Sequence, residues 1–261
     1  MITSKLKTGL GFKKALLTLL ALATVAILAV PSSAVTEDQI VIQGAESGSH
    51  LRLSVDGSNL MVDGYMSPDT PTGCHFTQVR TAAVCPLSGV GSIEVNMGPN
   101  SDKIEVLSPL PVSLTTYLGA GSDKLIGNSE DDTCYPEATM RNRCIGGAGN
   151  DICITGPQNS DCVGGPGNDY CQASTGSDGC WGGSGDDVCV MGSGSDGCHG
   201  DSGDDTLYGG PESDKLYGGS GNDKLYGGGA ADKLYGDSGR DYCDGQGATG
   251  KDYSCETGPL H

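Results

Sequence analysis

From Asp169 to Asp241 an aspartate stands at every ninth residue: Asp169, Asp178, Asp187, Asp196, Asp205, Asp214, Asp223, Asp232 and Asp241. Nine residues cannot bury a core of their own, so a chain with this period folds by stacking short units that each touch only their neighbours. A side chain that recurs once per unit lines up with its counterparts along the stack. The aspartates therefore form rows of oxygen atoms that no single unit could build.

Two Phe and one Trp against 44 Gly in 261 residues exclude an ordinary three-dimensional core. The predicted core is thin and repetitive. High glycine and high charge also describe disordered chains, but disorder does not hold one register through so many consecutive units.

Residues 1–34 read as a secretory signal peptide. Lys5, Lys7, Lys13 and Lys14 precede the apolar run Ala15 to Val30, and Pro31-Ser32-Ser33-Ala34 precedes the expected cut. That run is short against the roughly 20 residues a membrane span needs, so the mature chain is expected to be secreted, extracellular and not inserted in a membrane. Losing four lysines and no acid shifts the net charge from −18 to −22. Such a chain repels nucleic acid and repels itself unless cations neutralise its carboxylates. A merely soluble acidic surface is the plainer reading of the same composition.

Aligned on the aspartate, the units read Gly146-Gly147-Ala148-Gly149-Asn150-Asp151-Ile152-Cys153-Ile154 and Gly164-Gly165-Pro166-Gly167-Asn168-Asp169-Tyr170-Cys171-Gln172, with Gly182 to Val190 and Gly218 to Tyr226 further on. They match G-G-x-G-x-D-x-U-x, where U is apolar, the nonapeptide signature of calcium-binding parallel β-helices. Over roughly residues 118 to 253 the chain resembles the haemolysin-type (RTX) calcium-binding repeat family.

The resemblance implies an all-β fold, a parallel β-roll or β-solenoid of nine-residue repeats with 18 residues per coil. Short x-U-x strands would form two sheets, and glycine-rich turns two edges. It also implies calcium, held by turn carboxylates and carbonyls between stacked coils, as suits a cation that takes six to eight oxygen ligands. On one edge the turns ending at Asp151, Asp169, Asp187, Asp205, Asp223 and Asp241 stay close to the family pattern. On the other, the turns ending at Asp161, Asp178, Asp196, Asp214 and Asp232 have lost glycines. The expected ligand set is therefore Asp151, Asp169, Asp187, Asp205, Asp223 and Asp241 in a filled row, with Asp178, Asp196, Asp214 and Asp232 in a patchier one. The alternative for each is an aspartate that caps its own turn.

Position U departs from the family's aliphatic residues. It holds Cys144, Cys153, Cys162, Cys171, Cys180, Cys189 and Cys198, then Leu207, Leu216, Leu225 and Leu234, then Cys243. Behind an export signal, twelve cysteines favour disulfides. Those nine apart would face across the interior and those eighteen apart would sit on neighbouring strands; either pairing is conceivable. The eight from Cys134 to Cys198 allow 105 connectivities. Successive pairs are favoured: Cys134–Cys144, Cys153–Cys162, Cys171–Cys180 and Cys189–Cys198, with Cys74–Cys85 stapling a hairpin and Cys243–Cys255 closing the last coil. Reduced buried cysteines acting as small hydrophobes are the alternative.

Residues 35–117 hold short alternating apolar runs, among them Gln39 to Ile42, Leu51 to Val55, Ser92 to Val95 and Lys103 to Val106. They read as strands of an N-terminal β region that caps the solenoid, whose calcium-binding repeats and closing segment occupy 118–261. Residues 135–143 are expected to loop outward. Trp181, His199, Tyr217 and Tyr235, spaced by 18, should stack on one sheet, and Tyr208 and Tyr226 on the other, either as cross-strand pairs or as a binding surface.

No H-E-x-x-H or G-x-S-x-G motif is present, and histidines stand only at 50, 75, 199 and 261. The sequence thus reads as an exported, non-enzymatic calcium-binding roll that folds or rigidifies with the ion. Its expected partners are calcium ions and an unidentified extracellular or cell-surface molecule. The rival readings are an adhesion, ice- or carbohydrate-binding solenoid, and an enzyme site grafted on a parallel β-helix.

Overall fold

Three residues around each U position alternate outward, inward, outward, so a strand that short buries one side chain. In the computed structural model, which describes residues 26–29, 38–43, 50–64, 75–76, 82–98, 100–136, 140–245 and 251–255, this happens coil after coil. Ile152–Ile154, Tyr170–Gln172, Val188–Val190, Thr206–Gly210, Lys224–Gly228 and Tyr242–Asp244 run parallel in a first sheet. Arg143–Ile145, Asp161–Pro166, Gly179–Ser184, Gly197–Ser202, Lys215–Ser220 and Lys233–Ser238 run parallel in a second. The chain crosses between sheets every half coil, and partners such as Cys171 and Cys189 are 18 residues apart. This is a parallel β-roll, and no helix occurs among the described residues.

The U residues fill the interior. Cys144, Cys162, Cys180, Cys198, Leu216 and Leu234 project from one sheet; Cys153, Cys171, Cys189, Leu207, Leu225 and Cys243 project from the other. All are buried. Upstream the same two sheets continue through Ser113–Gly119, Val90–Asn96 and Asp38–Gln43 on one side and Lys124–Ile126, Lys103–Val106 and His50–Asp56 on the other. Here aliphatic side chains take over, with Ile42, Leu51, Leu53, Ile93, Ile104 and Leu114 fully enclosed.

The parallel order ends at a hairpin. His50–Asp56 turns through Gly57 (φ 64°) into antiparallel Asn59–Asp63, which then pairs with Ala82–Pro86. Ala26–Ala29, inside the segment read as a signal peptide, pairs antiparallel with Asp38–Gln43.

The cysteines follow expectation at two pairs and depart from it along the regular coils. Cys134 and Cys144 are bonded, with Cα atoms 6.3 Å apart, and Cys243 is bonded to Cys255 at 5.8 Å. Cys85 is also in a disulfide; Cys74 lies outside the described residues. Cys153, Cys162, Cys171, Cys180, Cys189 and Cys198 are instead free thiols, so the pairs Cys153–Cys162, Cys171–Cys180 and Cys189–Cys198 do not form here. The two bonded pairs of the roll have separations of 10 and 12 residues. Their chain leaves the nine-residue period, which frees the backbone to close the gap. The six thiols keep the period, and the regular strands hold their backbones in register.

The ring columns follow the 18-residue register. Trp181, His199, Tyr217 and Tyr235 stack on the second sheet with centroids 6.1, 4.5 and 4.7 Å apart, and Tyr208 stacks on Tyr226 on the first at 4.9 Å. Of the expected outward loop, residues 137–139 lie outside the described residues. Tyr135 and Pro136 end one strand and Arg143 begins the next, so the loop is shorter than expected, and Arg141 within it donates from Nη2 to Oδ2 of Asp161 at 2.7 Å.

Candidate metal centre

Each repeat aspartate comes just before a strand, at the point where a turn enters the roll. Its side chain folds under that turn, leaving Asp151, Asp169, Asp187, Asp205, Asp223 and Asp241 only 1–6% exposed. One oxygen is engaged by the neighbouring coil. The N–H of Asp151 donates to Oδ1 of Asp169, Asp169 to Asp187 and Asp187 to Asp205, at 2.7, 2.7 and 2.8 Å; Asp205 and Asp223 continue the series to Asp241. The other edge does the same. Asp178 donates to Asp196, Asp196 to Asp214 and Asp214 to Asp232. All ten aspartates read from the sequence thus lie in two buried rows, and none uses Oδ1 to cap its own turn.

The second oxygen is different. Oδ2 of Asp151, Asp169, Asp187, Asp205, Asp223 and Asp241, and of Asp178, Asp196 and Asp214, is buried without a hydrogen-bond donor. A buried carboxylate oxygen with no partner costs several kcal/mol in an apolar surround, a cost that either a bound proton or a cation relieves. Burial raises the pKa of Asp151 and Asp187 to about 7, helped by the negative charge of the aspartates one coil away, and that of Asp205 and Asp223 to about 6. Asp214 rises to about 7 and Asp178 to about 6, chiefly by burial.

Glycine makes room for this oxygen. A methyl group on Gly146, Gly164, Gly182 or Gly218 would collide with Oδ2 of Asp151, Asp169, Asp187 or Asp223. The next glycine of the turn lies against a carbonyl oxygen of the preceding coil, Gly165 on Gly147 and Gly183 on Gly165. Carboxylate and carbonyl oxygens are the donors a hard cation takes, and calcium tolerates the irregular geometry of a turn better than magnesium.

The start of the first row, where Gly127 still stands against Oδ2 of Asp132, shows what happens without the second turn glycine. Asp132 extends it, accepting from the N–H of Leu114 at 3.0 Å. There Asn128 stands in the turn, and its N–H and Nδ2 both donate to Asp132 Oδ2. The protein closes this coil itself, and the donor-free positions begin at Asp151.

A second ladder flanks the first edge and runs the opposite way. The residue before each aspartate accepts from the coil that follows: Asn168 N–H on Asn150 Oδ1, Asp186 on Asn168, Asp204 on Asp186 and Asn222 on Asp204, at 2.7–2.9 Å. Arg240 donates into this ladder at 3.2 Å and has no acceptor to pass on. The signal in the sequence was the Asn or Asp ahead of each first-edge aspartate from Asp151 to Asp223.

The second row is longer than the sequence pattern indicates. Asp102 donates to Asp123, Asp123 to Oδ1 of Asn142, Asn142 to Oγ of Ser160 and Ser160 to Asp178. Ser160 fills the place that the turn ending at Asp161 was expected to fill. Asp161 is instead the first residue of its strand, paired with Gly179 and bonded to Arg141.

The family model described as the RTX calcium-binding nonapeptide repeat (4 copies) matches residues 117–138, 143–160, 163–198, 199–232 and 217–248. The chain belongs to this family. The RTX repeats cover every donor-free first-edge aspartate from Asp151 to Asp241, and they begin where Ser113–Gly119 joins the first sheet. No curated protein and no solved structure matches the chain.

Proposed function

We propose that this chain is an exported, non-enzymatic calcium-binding RTX roll whose coils lock together when Ca²⁺ fills the turns. The observation that carries the reading is the donor-free Oδ2 of each first-edge aspartate from Asp151 to Asp241. Ions there would neutralise carboxylates stacked one coil apart, so binding free energy becomes folding free energy. The first edge, with its glycines and second ladder intact, is the tighter row; the second fills later. Affinity in the range of about 10⁻⁴ to 10⁻³ M would match extracellular calcium.

Export rests on the N-terminal basic and apolar pattern, and RTX repeat proteins are typically extracellular. The non-enzymatic reading is supported by how the turn carboxylates are used, each tied into a ladder between coils. The ring columns bear on the carbohydrate-binding alternative. His199 lies within 5° of parallel to Tyr217, and Tyr217 within 4° of parallel to Tyr235, so these rings cover one another's faces, the surfaces a sugar would need. They serve the sheet.

Far-UV circular dichroism of residues 35–261, titrated with calcium from a chelated sample, tests the proposal with magnesium as control. A saturable gain in β signal with calcium alone is expected. Complete structure under chelator, unchanged by calcium, would refute ion-coupled folding.

A further inference from the structure

Six buried thiols line the interior between the Cys134–Cys144 bridge and Leu207: Cys153, Cys162, Cys171, Cys180, Cys189 and Cys198. They alternate between sheets, so each sulfur has neighbours across the interior and along it. The sulfurs of Cys153, Cys162 and Cys171 lie within 4.8 Å of one another, as do those of Cys171, Cys180 and Cys189. Cys171 belongs to both groups. A further soft atom adjoins the second, since Sδ of buried Met191 lies 3.2 Å from Sγ of Cys189. Beside the first, a void of about 10 Å³ is lined by Cys153, Cys162 and the Cys134–Cys144 pair among others.

We propose that this column is a soft-metal site for two low-coordinate ions of the Cu(I) class, one held by Cys153, Cys162 and Cys171, the other by Cys171, Cys180 and Cys189 beside Met191. The donors decide the class of metal. Thiolate and thioether sulfur select soft cations, whereas the carboxylate rows on the edges offer oxygen and select hard ones. Structural zinc takes four ligands in a closed tetrahedron, and each group offers three cysteines. Three sulfurs sharing one ion at about 2.3 Å stand about 4.0 Å apart, so pairs at the 4.8 Å limit need to close in by about 0.8 Å.

Charge sets the stoichiometry of protons. A monovalent ion that displaces one thiol proton leaves the interior uncharged: one cysteine binds as thiolate, two donate as neutral thiols, and one H⁺ leaves to solvent. No electron is transferred. Binding three thiolates per ion would instead leave unpaired negative charge in the core, which is costly. The competing fate of the column is oxidation in pairs to disulfides, each releasing two protons and passing two electrons to an external oxidant.

The test uses the full chain, purified anaerobically in calcium. Thiols are counted after denaturation, and the protein is titrated with Cu(I) in the presence of a bidentate Cu(I) chelator. Expected are six titratable thiols and near-ultraviolet thiolate-to-copper absorption that saturates at two equivalents. Cys153→Val should retain one, Cys171→Val less than a tenth of the wild-type copper, and Cys198→Val two. The calcium-dependent far-UV signal checks that each variant folds; if Cys171→Val does not, the wild-type and Cys153→Val stoichiometries decide. Absence of the six thiols, a six-thiol protein that leaves copper with the chelator, or undiminished binding by folded Cys171→Val would overturn the proposal.

Discussion

The backbone N–H of Asp169 donates to Oδ1 of Asp187 at 2.7 Å, and Oδ2 of that same carboxylate is buried with no donor. One oxygen joins two coils while the other stays open toward the turn. The two jobs separate by mutation. Asp187→Asn keeps an acceptor for Asp169 but removes the charge and can place an NH₂ donor in the turn, so calcium affinity should fall at least tenfold with little loss of chelated stability. Asp187→Ala also strands the Asp169 N–H, which costs a further 1–3 kcal/mol or so. Calorimetric calcium titration and melting under chelator distinguish the two variants.

The raised carboxyl groups set a pH dependence. Asp151, Asp187 and Asp214 lie at about 7, and Asp178, Asp205 and Asp223 at about 6, all above the unfolded value of about 3.9. The ion-free fold therefore binds more protons than the unfolded chain between about pH 4 and 7, and its stability falls as pH rises through that window. Under chelator the melting temperature should be higher at pH 5 than at pH 7.5. Calcium, which competes with those protons, should reverse the order.

Two glycines form a matched pair. A methyl on Gly182 would run into Oδ2 of Asp187, whereas one on Gly197 meets nothing within 4 Å. Gly182→Ala should cost about 2 kcal/mol or more in calcium-loaded stability, and Gly197→Ala should stay within about 0.5 kcal/mol of wild type. Thermal melts in saturating calcium measure both.

Asp201 and Asp237 occupy a turn position that is glycine in neighbouring coils, at φ of 75° and 66°. A left-handed backbone costs a residue with a Cβ about 1 kcal/mol or more. Asp201→Gly and Asp237→Gly are each expected to raise stability by up to about 1 kcal/mol, a gain of a few degrees in melting temperature.

The Cys134–Cys144 bridge closes a loop of sequence separation 10. In the chain-entropy picture that constraint is worth roughly 2–3 kcal/mol. Replacing both cysteines with alanine should lower chelated and calcium-loaded stability alike, which melts in the two conditions would reveal.

The architecture was legible because one position, U, fixes the sheets, and one, the aspartate, fixes the edges. Leu207, Leu216, Leu225 and Leu234 are buried where the nine-residue period puts them. The extent of the second row was not legible, because its ladder needs only an acceptor oxygen. Asn142 and Ser160 supply one as well as aspartate does, and a template keyed to aspartate passes over Ser160 and selects Asp161. Asp102 and Asp123 were left out of the expected ligand set because the glycine signature thins out before the register does. The cysteine column misled for another reason. Spacing shows which side chains face the interior, but bond formation depends on whether the strands can bring them together.

The crossing between sheets at every half coil sets rules for how such a gene can gain or lose segments. Excising 18 residues between Cys171 and Leu225 removes one coil and leaves each later side chain on its own sheet. Excising nine transfers everything downstream to the opposite sheet. Tyr217 and Tyr235 would then continue the column of the other face, and the aspartates of one edge would fall in line with those of the other. Duplications in multiples of 18 preserve both faces of the rod, and odd multiples of nine exchange them.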